Sequence, residues 1–458
     1  MNGRAELVKG LGLYGATSVV AGTMIGTAIF VVPSIMLSHL GTPWMVLVVW
    51  LFAGILSLFG ALGYAELGAA IPEAGGEYVY LHRSYGPLMG FLYGWVQFFV
   101  AKTGSIAAIA TGFAIYLSYF FPRLNEPFWQ AEVSSLMVRL SGLQVCATAL
   151  ILFLSGLNIL GVRRSGAVQT AFTASKLVVL GLLIVLGLAL GEGSFAHLQE
   201  TIATGSDRSF VAAFGLATVS ALWAYDGWNN LSMVSGEVIN PQRNIPRALV
   251  FGSLLVMAVY ILANVTYFFV LAPAEVVGTS RVAADAARRF LGGAGGAFVA
   301  VGVMISSFAT LNGSILAGSR IPFAQARDRL FPAVLARVHP RFHTPAVAII
   351  AQSVVAGLLA LTGQYEALFT KVIFAEWLFY TLVTAGIFIL RRREPGLERP
   401  YRTRGYPVVP AIFVVLAGLL LVNTFLERRV DSLWGLVMVG TGIPAFCLWR
   451  FIGTRPAS

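Results

Sequence analysis

The stretch GTMIGTAIF, residues Gly22–Phe30, lies in the middle of the first long apolar run, where a membrane-spanning helix is expected to be most regular. Its paired glycines and threonines weaken a helix, because glycine adds backbone entropy and threonine hydroxyls compete for nearby carbonyls. An interrupted helix leaves amides and carbonyls unpaired, which a bilayer tolerates only where the backbone is buried in protein or lines a wet cavity. The stretch therefore predicts a binding site whose free amides face an anion and whose free carbonyls face a cation.

The same two glycines also fit a second interpretation. Gly22 and Gly26 have the G-x-x-x-G spacing that is common where helices pack closely in lipid, and the first stretch alone leaves both interpretations open. A second irregular stretch, ALWAYDGWNN at Ala221–Asn230, favours the site, because Asp, Gly and Asn inside an apolar run are costly unless they line a cavity. For Asp226 two roles stay open: direct contact with a ligand, or pairing with amides freed at this break.

The composition indicates a membrane protein. Of 458 residues, 57% are hydrophobic and 11% charged, whereas soluble proteins carry about 25% charged residues. Twelve apolar runs are long enough to cross a membrane, whose hydrocarbon core is about 30 Å thick. They are residues 11–38, 43–70, 88–121, 141–160, 167–190, 210–235, 246–272, 293–326, 345–362, 368–390, 406–426 and 432–453. We predict an all-α polytopic membrane protein with helices 1 and 6 broken at mid-membrane.

The net charge of +11 does not indicate a nucleic-acid partner, because the basic residues concentrate in loops on one side of the predicted spans. They include Arg163, Arg164, Arg327, Arg329 and the segment 391–404. The positive-inside rule makes that side cytoplasmic, together with both termini. We therefore expect a multi-pass protein of the cell (inner) membrane.

The two breaks lie five spans apart, and interrupted helices at matching positions of two halves indicate an inverted repeat with a site at the bilayer midplane. We predict four parts. They are an N-terminal tail at 1–10, a first repeat at 11–190, an inverted repeat at 210–390, and two further helices with a short tail at 391–458.

Of the lysines inside predicted spans, Lys102 and Lys176 are candidate functional residues, because an ionisable group there costs roughly 2.5–3.5 kcal/mol. Lys176 adjoins a patch of serine and threonine, which suits an ammonium held against the broken first helix. For Lys102 a structural role, pairing with a carbonyl or carboxylate, stays as open as a functional one.

Several segments together resemble the amino acid-polyamine-organocation superfamily, and within it the L-type amino acid transporter (LAT) light chains and their bacterial relatives. The matching segments are Gly22–Phe30, Pro72–Leu81, Lys176, Trp223–Asn229, Asn240–Ala248, Gly318–Asp328 and Glu398–Pro400. The resemblance implies the LeuT-type 5+5 inverted-repeat fold with 12 transmembrane helices, in which helices 1 and 6 are each two half-helices around the substrate.

The resemblance also implies roles for individual residues. The backbone of Gly26, Thr27 and Ala28 would receive a substrate carboxylate. The carbonyls of Met24 and Trp223 would receive its ammonium, and Trp223 would gate the site. The remaining implied positions are Asn229 and Tyr267, which would hold the breaks in shape, Trp377 near the side-chain pocket, Asp226 as in light chains that accept cationic substrates, and Lys176 in place of a sodium ion.

Two departures from the family pattern carry expectations. The family commonly has Gly-Ser-Gly where this chain has Gly26-Thr27-Ala28, so added methyl groups would favour small substrates. Animal light chains carry a cysteine after helix 3 that joins an ancillary glycoprotein, whereas here Cys146 and Cys447 fall within predicted helices. We therefore expect no disulfide-linked heavy chain and a functional monomer.

The sequence thus predicts a sodium-independent amino acid transporter, most simply an exchanger for neutral and possibly cationic L-amino acids. A proton-coupled symporter of the same fold is the first alternative, and a polyamine or amine antiporter is a further one. The sequence has no repeated filter typical of a channel, and its five histidines are scattered, so neither a channel nor an enzyme is expected, and no cofactor or metal.

Overall fold

A computed structural model describes residues 6–133, 136–204, 209–279, 281–362 and 365–453. The first half contains α1 (Leu13–Met24), α2 (Val32–Leu40), α3 (Pro43–Ala70), α4 (Glu77–Tyr85), α5 (Pro87–Val96), α6 (Lys102–Leu117), β1 (Pro127–Val133), β2 (Leu136–Ser141), α7 (Gly142–Ile159) and α8 (Val162–Leu190). The second half contains α9 (Phe210–Ala224), α10 (Asn230–Met233), α11 (Pro241–Val270), α12 (Pro273–Val277), α13 (Val282–Leu291), α14 (Ala294–Gly318), α15 (Arg320–Arg327), α16 (Ala346–Thr362), α17 (Tyr365–Arg393), α18 (Val408–Glu427) and α19 (Arg429–Gly453).

The helices have the length and composition of a multi-pass membrane protein, as predicted. In the described part of the chain, nine helical segments are long and apolar enough to cross a membrane, and two shorter apolar helices, Phe210–Ala224 and Ala346–Thr362, accompany them. The count of twelve spans and the inverted repeat stay predictions.

One element departs from the all-α expectation. Strands β1 and β2 form an antiparallel hairpin between α6 and α7, with register from Pro127↔Ser141 to Val133↔Leu136. The segments PFWQAEV and LMVRLS contain aromatic and β-branched residues, which are enriched in strands. A search for long apolar runs passes over such short segments.

The first helix occupies the centre of the molecule. α1 packs against α8, α11 and α14, and α3 lies along α11. The start of α3 illustrates how sequence fixes these elements: Thr42 caps the helix by accepting from the Met45 amide at 3.4 Å, and Pro43 fits the first helical position because its missing N–H is not needed there. α1 is thus enclosed by long helices on several sides.

The side of the molecule on which the chain begins is closed by what we call the N-terminal seal, the contacts of Gly10, Leu11, Glu237 and Arg320. The Glu237 carbonyl accepts from the amides of Gly10 at 2.8 Å and Leu11 at 3.0 Å. The Glu237 carboxylate accepts two bonds, at 2.7 and 2.9 Å, from Arg320, and both side chains are fully buried. The seal joins the start of α1 to the segment after α10 and to α15.

A second group of contacts on this side joins α4 to the end of α15. Tyr78 donates to Asp328 at 2.7 Å, and His82 lies 3.4 Å from the same carboxylate oxygen. Burial works against the charged form of Asp328, but the hydrogen bonds from His82 and Tyr78 outweigh it, so the pKa of Asp328 lies below its ordinary value.

Candidate binding site

The first helix is interrupted within the predicted stretch. α1 ends at Met24, and Ile25 leaves helical geometry with ψ 88°. The Gly26 amide turns back to the Met24 carbonyl at 2.8 Å, a short 3₁₀ turn follows at Ala28–Phe30, and α2 begins at Val32. Among the described residues, the backbone hydrogen bonds leave the amides at 27–29 without a backbone acceptor. The break therefore offers free N–H groups at the start of the second half-helix.

The two glycines of this stretch have different environments. A β-carbon on Gly22 would lie 2.3 Å from side-chain atoms of Gln169 and Thr173, so Gly22 permits close packing against α8. A β-carbon on Gly26 would meet only the Met24 carbonyl, at 4.0 Å. The packing interpretation thus describes Gly22, whereas Gly26 has open space beside it.

The sixth helix is interrupted too, and the two breaks touch. α9 ends at Ala224 and α10 begins at Asn230. Between them Gly227 has φ +119°, and a β-carbon there would lie 2.8 Å from the Thr23 carbonyl carbon, so glycine is required by both conformation and contact. Thr23 Oγ1 lies 2.8 Å from the Gly227 carbonyl oxygen, within donating distance.

Tyr260 of α11 connects the two breaks. Its hydroxyl lies 2.8 Å from the Met24 carbonyl oxygen and 2.9 Å from that of Ala224. The resemblance implies Tyr267 as a residue that holds the breaks in shape, but the Tyr267 hydroxyl is buried and has no hydrogen-bond partner among the described residues. The two tyrosines are seven residues apart, two helical turns on one face of α11.

Lys176 lies where the sequence analysis expected it, against the first break. Its Nζ donates to the carbonyls of Gly22 at 2.8 Å, Ile25 at 2.6 Å and Ser306 at 3.1 Å, and it lies 3.2 Å from Thr310 Oγ1. The ammonium thus bridges α1 to α14 through neutral oxygens. On α14, Ser306 contributes its carbonyl and Thr310 its hydroxyl oxygen, while the Ser307 hydroxyl is buried without a partner among the described residues.

Asp226 lies at the second break and belongs to a chain of hydrogen bonds. Its Oδ1 accepts from the Tyr380 hydroxyl at 2.8 Å. Asn229 donates to Tyr380 Oη at 3.2 Å and to Glu77 Oε1 at 2.8 Å, and Tyr93 donates to Glu77 Oε2 at 2.7 Å. Asn229 therefore connects the second break to the start of α4, and Asp226 pairs with a side chain of α17 rather than with freed amides alone.

Lys102 of α6 also lies beside the second break. Its ammonium donates to Asn230 Oδ1 at 2.8 Å, and the side chain is buried. The charges of Lys102 and Asp226 are close enough to interact, and Glu376 of α17 faces both. The partner of Lys102 is the side-chain carbonyl oxygen of Asn230, which agrees with the pairing role considered from the sequence.

Of the two predicted tryptophans, Trp223 belongs to α9 and Trp377 packs near that helix. Trp223 is half-buried at the end of α9. Trp377 stacks on Phe413 and lines an apolar cavity between α9, α17 and α18 together with Leu222. The Thr27 methyl group approaches Gly112 of α6, so it faces a neighbouring helix. No described group of three or more His, Cys, Asp or Glu side chains is placed to hold a metal ion.

Two interrupted helices in contact at the centre of a bundle of apolar spans, with an ammonium at one break and a carboxylate at the other, define a multi-pass membrane transporter. The match to the family model described as Amino acid permease covers residues 11–446, and the chain belongs to that family.

Curated relatives cover nearly the whole chain. The serine/threonine exchanger SteT of Bacillus subtilis (strain 168) is 34% identical over 96% of this chain and 96% of its own. The human b(0,+)-type amino acid transporter 1 is 36% identical over 91% of this chain and 82% of its own. The human large neutral amino acids transporter small subunit 2 is 33% identical over 99% of this chain and 83% of its own. Family and relatives are transporters, not enzymes.

Proposed function

We propose that the protein is a sodium-independent amino acid exchanger that works by alternating access. The observation that carries the proposal is the position of the Lys176 ammonium, held between the first break and α14 by carbonyls of Gly22, Ile25 and Ser306. A fixed positive charge at these carbonyls occupies the place where a cation would otherwise be coordinated. The name of the bacterial relative, an exchanger, supports the same conclusion.

The substrate backbone binds between the breaks. The amides of Thr27 and Ala28 have no backbone acceptor and lie at the positive end of a half-helix, so they receive the carboxylate. The Gly26 amide already donates to the Met24 carbonyl, so it does not bind the carboxylate. Gly26 instead leaves open space for the substrate, because it has no side chain. The Trp223 carbonyl lies in the last turn of α9, at the negative end of that half-helix beside the second break, so it receives the substrate ammonium.

The substrate side chain extends toward the second break. Asp226 supplies a carboxylate there for a side-chain ammonium or guanidinium, while apolar residues around Trp377 accommodate neutral side chains. The human relative named b(0,+)-type supports a site for neutral and cationic L-amino acids. The Ala28 methyl group narrows the first break and favours small neutral substrates.

The protein lies in the cell membrane with the N-terminal seal on the cytoplasmic side. Arg83 of α4 pairs with Glu394, just after α17, so α4 and the arginine-rich segment 391–404 share one side. Basic loops remain cytoplasmic, which supports a cytoplasmic location for both termini. Residues 11–190 and 210–390 form the two inverted repeats, and a monomer carries the complete site.

Transport into proteoliposomes tests the proposal. Labelled alanine or serine is offered to vesicles that are empty or preloaded with the same amino acid, in sodium or choline medium, with protein-free vesicles as the control. We expect uptake that depends on internal amino acid and is unchanged by choline. Equal uptake by empty and loaded vesicles would overturn the exchange mechanism. Loss of uptake in choline medium would overturn the sodium independence.

The proton-coupled symporter remains the alternative to be separated. Such a symporter would accumulate alanine in empty vesicles when the outside is made acidic, because Lys176 would gain and lose a proton in each cycle. We expect no such accumulation, since every Lys176 contact is with a neutral oxygen acceptor that favours the ammonium.

A further inference from the structure

The second break is flanked by more acidic groups than the proposed function uses. Tyr380 connects Asp226 to Asn229, and Asn229 donates to Glu77. Glu376 lies one helical turn before Tyr380 on α17, and Lys102 donates to Asn230. Glu77 is fully buried, and the exposed fraction of Lys102 and of Glu376 is 6% each. Three carboxylates against one ammonium leave an excess of negative charge in a desolvated interior, which is unfavourable unless protons or another cation compensate it.

Two buried oxygen atoms in the same place lack a hydrogen donor. Asn229 and Gln97 are each 1% exposed, and no donor among the described residues reaches Asn229 Oδ1 or Gln97 Oε1. The Asn229 amide nitrogen contacts Glu77, and the Gln97 side chain is within hydrogen-bonding reach of Glu376. Both amide groups turn a nitrogen toward a carboxyl group and donate to it, so neither adds a positive charge. The charge excess of the three carboxyl groups therefore stays uncompensated by their polar neighbours.

The other groups that face these carboxyls are donors without a second positive charge. Tyr64 and Tyr93 approach Glu77, at 3.5 and 2.7 Å. Tyr380 donates to Asp226 and its ring adjoins Trp377. Lys102 donates to Asn230 and is the single ammonium that interacts with the cluster in the described part of the chain. Tyrosines stay uncharged near neutral pH, so they orient the carboxyls but leave the charge excess unchanged.

We propose that Asp226 and Glu376 share a proton while a neutral amino acid is bound and release it when the side chain of a cationic amino acid takes its place. The inference rests on the proposed function. Asp226 is the partly exposed member of the cluster, so an incoming side-chain ammonium reaches it first and supplies the positive charge that the proton otherwise supplies. The bond broken is the carboxyl O–H, and the proton leaves to water on the side from which the cation enters.

This exchange of proton and cation makes hetero-exchange electrically neutral. A lysine that enters a vesicle displaces a proton to the outside. After lysine is released inside, the carboxyl pair takes up a proton from the interior, internal alanine binds, and alanine leaves. For each lysine that enters, one alanine and one proton leave, so the interior becomes alkaline and no net charge moves.

The test uses the full-length protein in vesicles that contain a fluorescent pH indicator and alanine, with lysine added outside. We expect internal alkalinisation matched to lysine entry, none when alanine replaces lysine outside, and no change in lysine entry when a potassium diffusion potential is imposed. Lysine entry that follows the potential without a pH change would overturn the inference. So would vesicles that exchange alanine for alanine but not for lysine. Loss of every exchange would refute the proposed function itself.

A pair of glutamate substitutions localises the proton. Glu376→Gln removes one of the sharing carboxyls, so the lysine exchange that remains should become sensitive to the imposed potential and lose its pH signal. Glu200→Gln, an exposed residue beyond α8, is the matched control and should retain both properties of the wild type. A Glu376→Gln protein whose lysine entry still alkalinises the interior contradicts the assignment. The wild-type measurement stands independently of whether this variant folds.

Discussion

Replacing Lys176 by methionine should release the first half of the broken helix. The substitution keeps most of the apolar stem but removes the ammonium that holds the carbonyls of Gly22 and Ile25. Each carbonyl retains a hydroxyl donor, Thr310 at 3.0 Å and Ser306 at 2.8 Å respectively. The free-energy cost of removing the ammonium is therefore at the low end of the range for an unsatisfied buried acceptor, about 1 kcal/mol for each carbonyl. A total of about 2 kcal/mol shifts the equilibrium toward an open N-terminal side by roughly 30-fold.

Labelling of an introduced cysteine measures that shift. Ala16 of α1 is fully buried, so a cysteine at this position reacts with a membrane-impermeant thiol reagent only when α1 moves. The native cysteines, Cys146 and Cys447, are first replaced by alanine. In this background Ala16→Cys should be labelled roughly 30-fold faster with Lys176→Met than without it, as long as α1 opens and closes quickly relative to labelling.

A second buried lysine provides the matched control. Lys102→Met removes an ammonium whose partner is Asn230, not α1, so it should leave labelling at Ala16→Cys unchanged. Adding Thr310→Val to Lys176→Met should accelerate labelling by more than the two separate effects combined, because each donor substitutes for the other. Unchanged labelling and normal transport by a well-folded Lys176→Met protein would refute the role of Lys176 as a latch on α1.

Four further outcomes are expected. Trp223→Ala should impair transport far more than thermal stability, whereas Trp223→Phe retains most transport; a fully active alanine variant would make Trp223 ordinary packing. Tyr260→Phe should reduce transport several-fold because the two carbonyls at the breaks lose the single hydroxyl donor that they share. Tyr267→Phe, whose hydroxyl has no described partner, should transport normally, and equal effects would contradict the assignment. Asp226→Asn should weaken lysine binding and spare alanine, measured by competition, and equal losses would favour a structural role. Asp328→Asn should lower the melting temperature at pH 7 by an amount equivalent to less than about 1 kcal/mol, since the pair is partly exposed. Because the pKa of Asp328 lies below its ordinary value, the wild type should keep this advantage down to the ordinary titration range of aspartate and lose it only as the pH falls further. A difference already lost above that range would contradict the mechanism.

The sequence predicted the two breaks because their signals are local. Glycine, threonine and asparagine weaken a helix within a few residues wherever they occur in an apolar run, and both interruptions fall inside the expected stretches. The contact between Lys176 and α1 was also predictable, because a buried ammonium needs carbonyls and a broken helix provides them.

The sequence did not reveal which side chains complete the site across the fold. Tyr260 and Tyr267 share a helical face, and only the three-dimensional packing selects the turn that meets the breaks. Glu77 lies far from Asn229 along the chain, and no periodicity connects α4 to α10. The hairpin at 127–141 was missed because short strands of mixed polarity carry no membrane signal.

The N-terminal seal joins a rigid part of the molecule to a part that can detach from it, the start of α1. The fully buried pair of Arg320 and Glu237 leaves an uncompensated charge if it is parted, at a cost of several kcal/mol, so α15 and the segment after α10 behave as one rigid unit. The start of α1 is attached to that unit by backbone bonds at Gly10 and Leu11, each contributing about 1 kcal/mol. An inhibitor therefore has a target away from the substrate: a ligand that fastens residues 6–11 to the rigid unit stops turnover and leaves the space between the breaks untouched.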